Sequence, residues 1–270
     1  MNKTPLVISI TSGKGGVGKT NIAANLAYCL AKNGKRVVLL DADLGLANID
    51  VVLGLTPEYN LFHLFHAGIG LDKILTDTPY GFQILPASSG AGEMISLSTG
   101  QKLELLESMD SMEDRLDYLL VDTGAGINDN VLYFNLAAQE RIVALTPEPT
   151  SLTDAYAVVK VMKQNHGVHH FKIVVNMAAD KKNALEVFKR LYNACDHFLD
   201  GVSLELSGFI PRDAAVRDAV IRQRPLCDVS PASPAGRAMA ELALKVQTWE
   251  APVNLDGNIK FFWKKLLFRS

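Results

Sequence analysis

The stretch Gly13-Lys14-Gly15-Gly16-Val17-Gly18-Lys19-Thr20 constrains this chain more than any other part of its sequence. It follows the apolar run Leu6–Ile10 and leads into Asn21-Ile22-Ala23-Ala24-Asn25-Leu26-Ala27, which has helical spacing and continues in good helix formers to Gly34. Strand, glycine loop and helix in that order make an anion-binding turn. Residues without Cβ atoms let successive backbone N–H groups point into one concavity, and the positive end of the helix faces the same space. Lys19 is placed to reach the outer phosphates of a nucleotide, and Thr20 to offer its hydroxyl to Mg²⁺. The candidate phosphate contacts are therefore Gly13, Lys14, Gly15, Gly16, Val17, Gly18, Lys19, Thr20 and Asn21. Lys14 is the odd member. The cradle is complete without it, so a lysine there is either redundant or aimed elsewhere.

Short apolar runs alternate with longer helical patterns along the rest of the chain. Leu6–Ile10, Val37–Leu40, Phe82–Leu85, Tyr118–Val121, Ile142–Leu145, Ile173–Val175 and Leu206–Ile210 read as strands, several of them apolar throughout, as in a sheet covered on both faces. The pattern predicts one α/β domain: a doubly wound, mostly parallel sheet of seven or eight strands with helices on both sides. In such sheets ligands gather at the carboxyl ends of the strands. The chain of 270 residues is long enough for one full core and no second domain is expected. Residues 1–250 are assigned to this domain, 251–257 to a linker and 258–270 to a separate tail.

Carboxylates stand where that rule wants them. Val37–Leu40 runs into Asp41-Ala42-Asp43, and Tyr118–Val121 into Asp122-Thr123-Gly124-Ala125-Gly126. Mg²⁺ keeps most of its waters and takes few protein ligands, so Thr20, Asp41, Asp43 and Asp122 are the candidate metal-side residues. Helix capping fits Asp50 better than Asp41 or Asp43. Asn176 after one strand and Pro211-Arg212-Asp213 after another are the candidates for base recognition. No Asn-Lys-x-Asp guanine signature follows Asn176, so adenine is favoured.

The net charge of −2 gives the body no general attraction for nucleic acid, and direct nucleic-acid binding is not expected. Cys29, Cys195 and Cys227 lack metal or redox spacing and fit a reducing compartment. His166, His169 and His170 read as a solvated loop. The chain shows no charged-then-apolar leader and no bilayer-length apolar run, which predicts a cytoplasmic location. The tail adds a qualification. Wound as a helix, Ile259, Phe262, Trp263, Leu266 and Leu267 share one face, with Lys260, Lys264, Lys265 and Arg269 around the other; Phe261 and Phe268 fall on the basic side. Four basic residues near an anionic leaflet contribute about 4 kcal/mol, enough for weak reversible binding at the inner face of the cell membrane. The alternative is that the tail packs on its own domain.

The motif Lys14-Gly15-Gly16-Val17-Gly18-Lys19-Thr20 resembles that of the deviant Walker A ATPases. Longer strings, Asp41–Asn48, Asp122–Gly126, Glu148–Ala157 and Asn176–Ala178, resemble the FlhG/FleN type of MinD-like P-loop ATPase. The resemblance implies a slow ATPase using ATP and Mg²⁺ and working as an ATP-dependent homodimer. It implies that Lys14 crosses the interface to the partner's phosphates, with Lys19, Asp43 and Asn48 completing the catalytic set. Asp43 and Asn48 would hold the attacking water, Asp41 and Asp122 would stand near magnesium, and Asp154 would link nucleotide state to downstream binding. It implies regulation of flagellar number and placement through the membrane, the flagellar GTPase FlhF and a FleQ-type transcription activator. Division-site selection of the MinD type and DNA partitioning of the ParA type are the alternatives; an iron–sulfur carrier would need cysteines that bridge two subunits.

Overall fold

Runs too short for helices become the strands of one sheet, and the glycine loop lies at its centre. The computed structural model describes residues 4–87 and 97–250. The first half of the sheet comprises β1 (Leu6–Ser12), β2 (Val37–Ala42), β3 (Thr76–Asp77) and β4 (Gln83–Leu85). The second comprises β5 (Tyr118–Ala125), β6 (Glu140–Leu145), β7 (His170–Ala178) and β8 (Ser203–Pro211). Their order across the sheet is β3-β4-β2-β5-β1-β6-β7-β8. Every pairing is parallel except β3 with β4. The expected doubly wound architecture is therefore present. The strand that the apolar pattern missed, β3, is a polar two-residue edge.

The first helices are α1 (Lys19–Lys32), α2 (Ile49–Leu53), α3 (Leu61–Ala67), α4 (Leu71–Ile74), α5 (Thr99–Asp110) and α6 (Asp129–Ala137). They are followed by α7 (Pro149–His166), α8 (Lys181–Phe198), α9 (Ala214–Ile221), α10 (Leu226–Val229) and α11 (Pro234–Val246). Alternation along β1 divides the core: Leu6, Ile8 and Ile10 join the layer of α1 and α11, while Val7 joins the layer of α6. A third cluster lies beneath α7 and α8. Ser9 and Thr11 are wholly buried between apolar neighbours, a cost unless each hydroxyl is bonded. Asn135 of α6 meets both, accepting from Ser9 Oγ at 2.8 Å and donating to Thr11 Oγ1 at 3.1 Å.

Cys29 and Cys227, nearly two hundred positions apart in the chain, are brought together as neighbouring buried thiols between α1 and α10. Spacing along the sequence could not show this. At the foot of the sheet, Lys172 pairs with Glu205 at 2.6 Å and lies 4.9 Å from the ring centre of the buried Trp249. The described chain thus ends, at Glu250, beneath the amino ends of β7 and β8. No helix among the described residues is long and apolar enough to cross a membrane. The linker and the tail, with Ile259, Phe262, Trp263, Leu266 and Leu267, lie outside the described residues.

Candidate nucleotide site

Helices need partners for their first backbone donors, and most here have them. Asn60, Ser98, Asn128, Asp180, Asp213 and Ser233 accept backbone N–H bonds at the starts of α3, α5, α6, α8, α9 and α11. α1 has no such cap and no acid in its first turn. Its open donors and its dipole face the loop, ready for an anion. Two glycines of the loop are fixed by space. A Cβ on Gly13 would stand 2.2 Å from the carbonyl oxygen of Asp154 in α7, and one on Gly18, where φ is +90°, would stand 2.4 Å from Asn176 Nδ2.

A cleft of about 800 Å³ opens above the loop. Gly15, Gly16, Gly18, Lys19, Thr20 and Asn21 line one side, with Asp43, Asn48 and Gly124 beyond the phosphate end. Lys19 is 8 % exposed; burial holds its pKa below the ordinary lysine value, while Asp122 and Asp43 pull it back up. Burial raises the pKa of Asp43, and Lys19 opposes the shift. Asp122 is pushed up to about 7 by burial, against a hydrogen bond with Thr20 and the charge of Lys19. Its Oδ1 is buried with no hydrogen-bond partner. An orphaned carboxylate oxygen beside the Thr20 hydroxyl fits a bound Mg²⁺ with its waters, and the bare helix end fits the phosphates it would accompany.

Asp41, expected near magnesium, is also engaged with the backbone. Its Oδ1 accepts from the backbone N–H of Asp43 at 3.1 Å, and its Oδ2 from those of Asn48 at 2.9 Å and Ile49 at 3.1 Å. The carboxylate therefore anchors the loop from Asp43 to Asn48 and caps α2, the role the sequence assigned more readily to Asp50. Burial and the Asp122 charge raise its pKa to about 8, against these amides. Asp50 Oδ1 merely accepts from Val51 N–H. Asn48 holds the same loop from its other side, donating from Nδ2 to the Leu46 carbonyl.

At the base end, Asn176, Pro211, Arg212 and Asp213 all line the cleft. Asn176 is partly committed: Nδ2 donates to the Val17 carbonyl at 2.7 Å, and Oδ1 accepts from Met177 N–H. Val17 itself is buried beneath the loop. The Asp213 carboxylate caps α9 and accepts from Ala235 N–H at 3.0 Å, tying α9 to α11. Met177, from the Asn176–Ala178 string, lies in this wall too, and Val216, Arg217 and Val220 complete it without having been marked by any motif. Lys14 does not line the cleft. Its Nζ donates to Glu148 Oε2 at 2.7 Å and to Thr150 Oγ1 at 3.1 Å, partners that no spacing rule could have linked to it. Asp154 meets the loop through its backbone at Gly13. Among the described residues, the three histidines included, no cluster of His, Cys, Asp and Glu could hold a metal ion.

Residues 8–226 match the CobQ/CobB/MinD/ParA nucleotide binding domain. The chain is 45% identical over 261 residues to the antiactivator FleN of Pseudomonas aeruginosa, covering 97% of this chain and 93% of that protein. It is 32% identical to the flagellum site-determining protein YlxH of Helicobacter pylori, covering 96% and 89%. The septum site-determining protein MinD of Pyrococcus horikoshii, solved with Mg-ADP, superposes with a TM-score of 0.75 at 26% identity, covering 90% of this chain and 96% of that one. The parallel sheet, the bare helix end and the paired strand-end aspartates agree with these likenesses, and the chain belongs to the MinD/ParA family as an ATPase of the FleN and YlxH type that uses ATP and Mg²⁺.

Proposed function

We propose that the chain is an ATP-gated dimeric switch that regulates flagellar number and placement. The observation that carries this reading is the direction of Lys14, which leaves its own cleft and bonds Glu148 instead. A cation so placed is available to a neighbouring copy, where it would act as an arginine finger does, a contribution of about a thousandfold or more in rate. Leu46, Val51 and Val220, all among the cleft-lining residues, and Ile221 are exposed large apolar side chains around its mouth, the kind of rim a second copy would cover.

Within each copy the loop amides and Lys19 bind the phosphates, and Thr20 and Asp122 would hold the magnesium. Asp43, with Asn48, orients the water that attacks the terminal phosphate. Bound Mg²⁺ supplies neutralising charge on the phosphate oxygens. Asp41 sets the position of Asp43 and Asn48 through their backbone. Asn176 and the Pro211–Asp213 segment hold adenine. The ATP dimer then presents two copies of the 258–270 tail, with Ile259, Phe262, Trp263, Leu266 and Leu267 toward the lipid, to an anionic membrane; two linked tails bind far better than one. A FlhF-type GTPase and a FleQ-type activator are the proposed protein partners, supported by the likeness to FleN and YlxH.

Light scattering of an Asp43→Ala variant saturated with ATP and Mg²⁺ tests the core of this reading, with a doubled mass expected and an unchanged single-subunit mass overturning it. Sedimentation with anionic vesicles, with and without residues 258–270, tests the membrane step; equal sedimentation of both forms removes it. Division-site selection would use the same cleft. A deletion strain scored for flagellar number and for minicells separates the two.

A further inference from the structure

Where a helix of this chain ends on a left-handed residue, that residue is glycine, with one exception among the described residues. Gly54, Gly68 and Gly167 take the place after α2, α3 and α7, and Gly34 takes it just beyond α1, with φ between +63° and +74°. After α9 the residue is Gln223, at φ +52°. A side chain in this region crowds its own backbone, so a residue with a Cβ costs stability that glycine would not. Only Met177 shares the condition among the described residues, and it lines the nucleotide cleft. Strain of this kind collects at sites where the side chain has another task.

The Gln223 side chain has such a task. Its Nε2 donates to the carbonyl of Val51, 172 positions away, at 2.8 Å, and that carbonyl belongs to the last turn of α2. Gly54, which ends α2, sits against the same residue: a Cβ there would stand 3.3 Å from Gln223 Cβ. Val51 and Val52 of α2 and Val216 and Val220 of α9 all line the cleft, so the bond joins two of its walls. The walls are not equally firm. α9 is set without this bond, because Asp213 at its start is tied to Ala235 N–H and Ala219 is buried in the core. α2 has five residues; Asp41 holds its start through the amides of Asn48 and Ile49, and Gln223 holds its end.

We propose that Gln223 is a positioning residue for ATP hydrolysis, a clasp from the firm α9 to the short α2 that keeps Asn48 and Asp43 in place, an inference that rests on the water-positioning role proposed for those two. The path is short. The Asn48 carbonyl accepts from Val52 N–H at 2.9 Å, so a shift in the last turn of α2 reaches Asn48 through a single helical turn. Gln223 is exposed, and water competes for the Val51 carbonyl. The clasp therefore tunes the rate by a modest factor.

The full-length protein is tested as Gln223→Gly and Gln223→Glu. Glycine fits φ +52° without strain but cannot bond, whereas glutamate keeps the length and shape of the side chain and lacks the N–H donor. Phosphate release at saturating ATP and Mg²⁺ is expected to fall about fivefold in both variants, with KM for ATP unchanged. The urea unfolding midpoint of Gln223→Gly stays at the parent value or rises. A parent-like rate in either variant, or a loss confined to KM, overturns the clasp. So does a midpoint that drops along with the rate in Gln223→Gly, which would mark a purely structural residue. The assay is repeated over a wide range of protein concentration: a deficit that persists supports the clasp, and one that closes at high concentration places Gln223 in the subunit interface instead. Asn48→Ala judges the underlying reading by itself, since parent-like hydrolysis there removes the water-positioning role whatever the Gln223 variants show.

Discussion

The carboxyl ends of β2 and β5 lie side by side, with Asp41 and Asp122 in register as neighbours, 1% and 2% exposed. Position and burial are shared, yet the two side chains do opposite things. Asp41 has three backbone N–H partners and is spent on holding a loop. Asp122 keeps one oxygen with no partner, beside Thr20 and the buried Lys19. A carboxylate at a strand tip is thus a structural clamp or a waiting ligand according to what the next loop brings to it. The residue type and the strand end alone do not decide.

The contrast can be broken at its strongest point by Asp122→Asn, which is expected to lower ATP hydrolysis at saturating Mg²⁺ by about a hundredfold or more, measured by phosphate release. A loss below tenfold would mean that the orphaned oxygen is not used. Asp41→Ala acts on the other member and leaves three amides without their acceptor, at a cost of about 3 kcal/mol in urea denaturation of the nucleotide-free protein. Asp122→Ala should cost much less, and equal losses would erase the distinction.

Acidity sharpens the comparison. The folded-state pKa of Asp122, about 7, lies above its unfolded value, so its contribution to stability is fully present below the unfolded pKa and is lost as pH rises toward 7. Between pH 5 and 7 the parent should therefore lose about 2 kcal/mol relative to Asp122→Asn, which carries no such proton. Parallel stability curves would contradict the ionisation assigned to this site. The smallest effect concerns the space between the two strand ends. A Cβ on Gly124 would stand 3.3 Å from Asp43 Oδ1. Gly124→Ala should slow turnover a few-fold by displacing that carboxylate, with affinity for ATP unchanged in a binding titration.

Much of this was legible in the chain because parallel strands buried on both faces must be apolar throughout, and Val37–Leu40 or Ile173–Val175 can be little else. The phosphate loop was legible for a similar reason. The glycine run between a strand and a helix is a local signal, and Gly18 answers it with φ of +90°, although the atoms that crowd Gly13 and Gly18 come from the distant Asp154 and Asn176. What escaped were pairings set by tertiary distance. The amides of Asn48 and Ile49 reach Asp41 only because the intervening loop folds back over β2, and Glu148 meets Lys14 only because β6 lies beside β1. Strand β3 escaped for the opposite reason: Thr76 and Asp77 carry no apolar signal, and their pairing is made by the partner strand.

Trp249 is seated under Lys172, near the start of β7, whereas Asn176 and Met177 stand at the nucleotide end of the same strand. Four residues of extended chain, about 13 Å, separate Lys172 from Asn176. Whatever follows Glu250 therefore departs from the pole opposite the fuel. Any report of ATP to that pole has to travel lengthwise through the hydrogen-bonded sheet or around its rim.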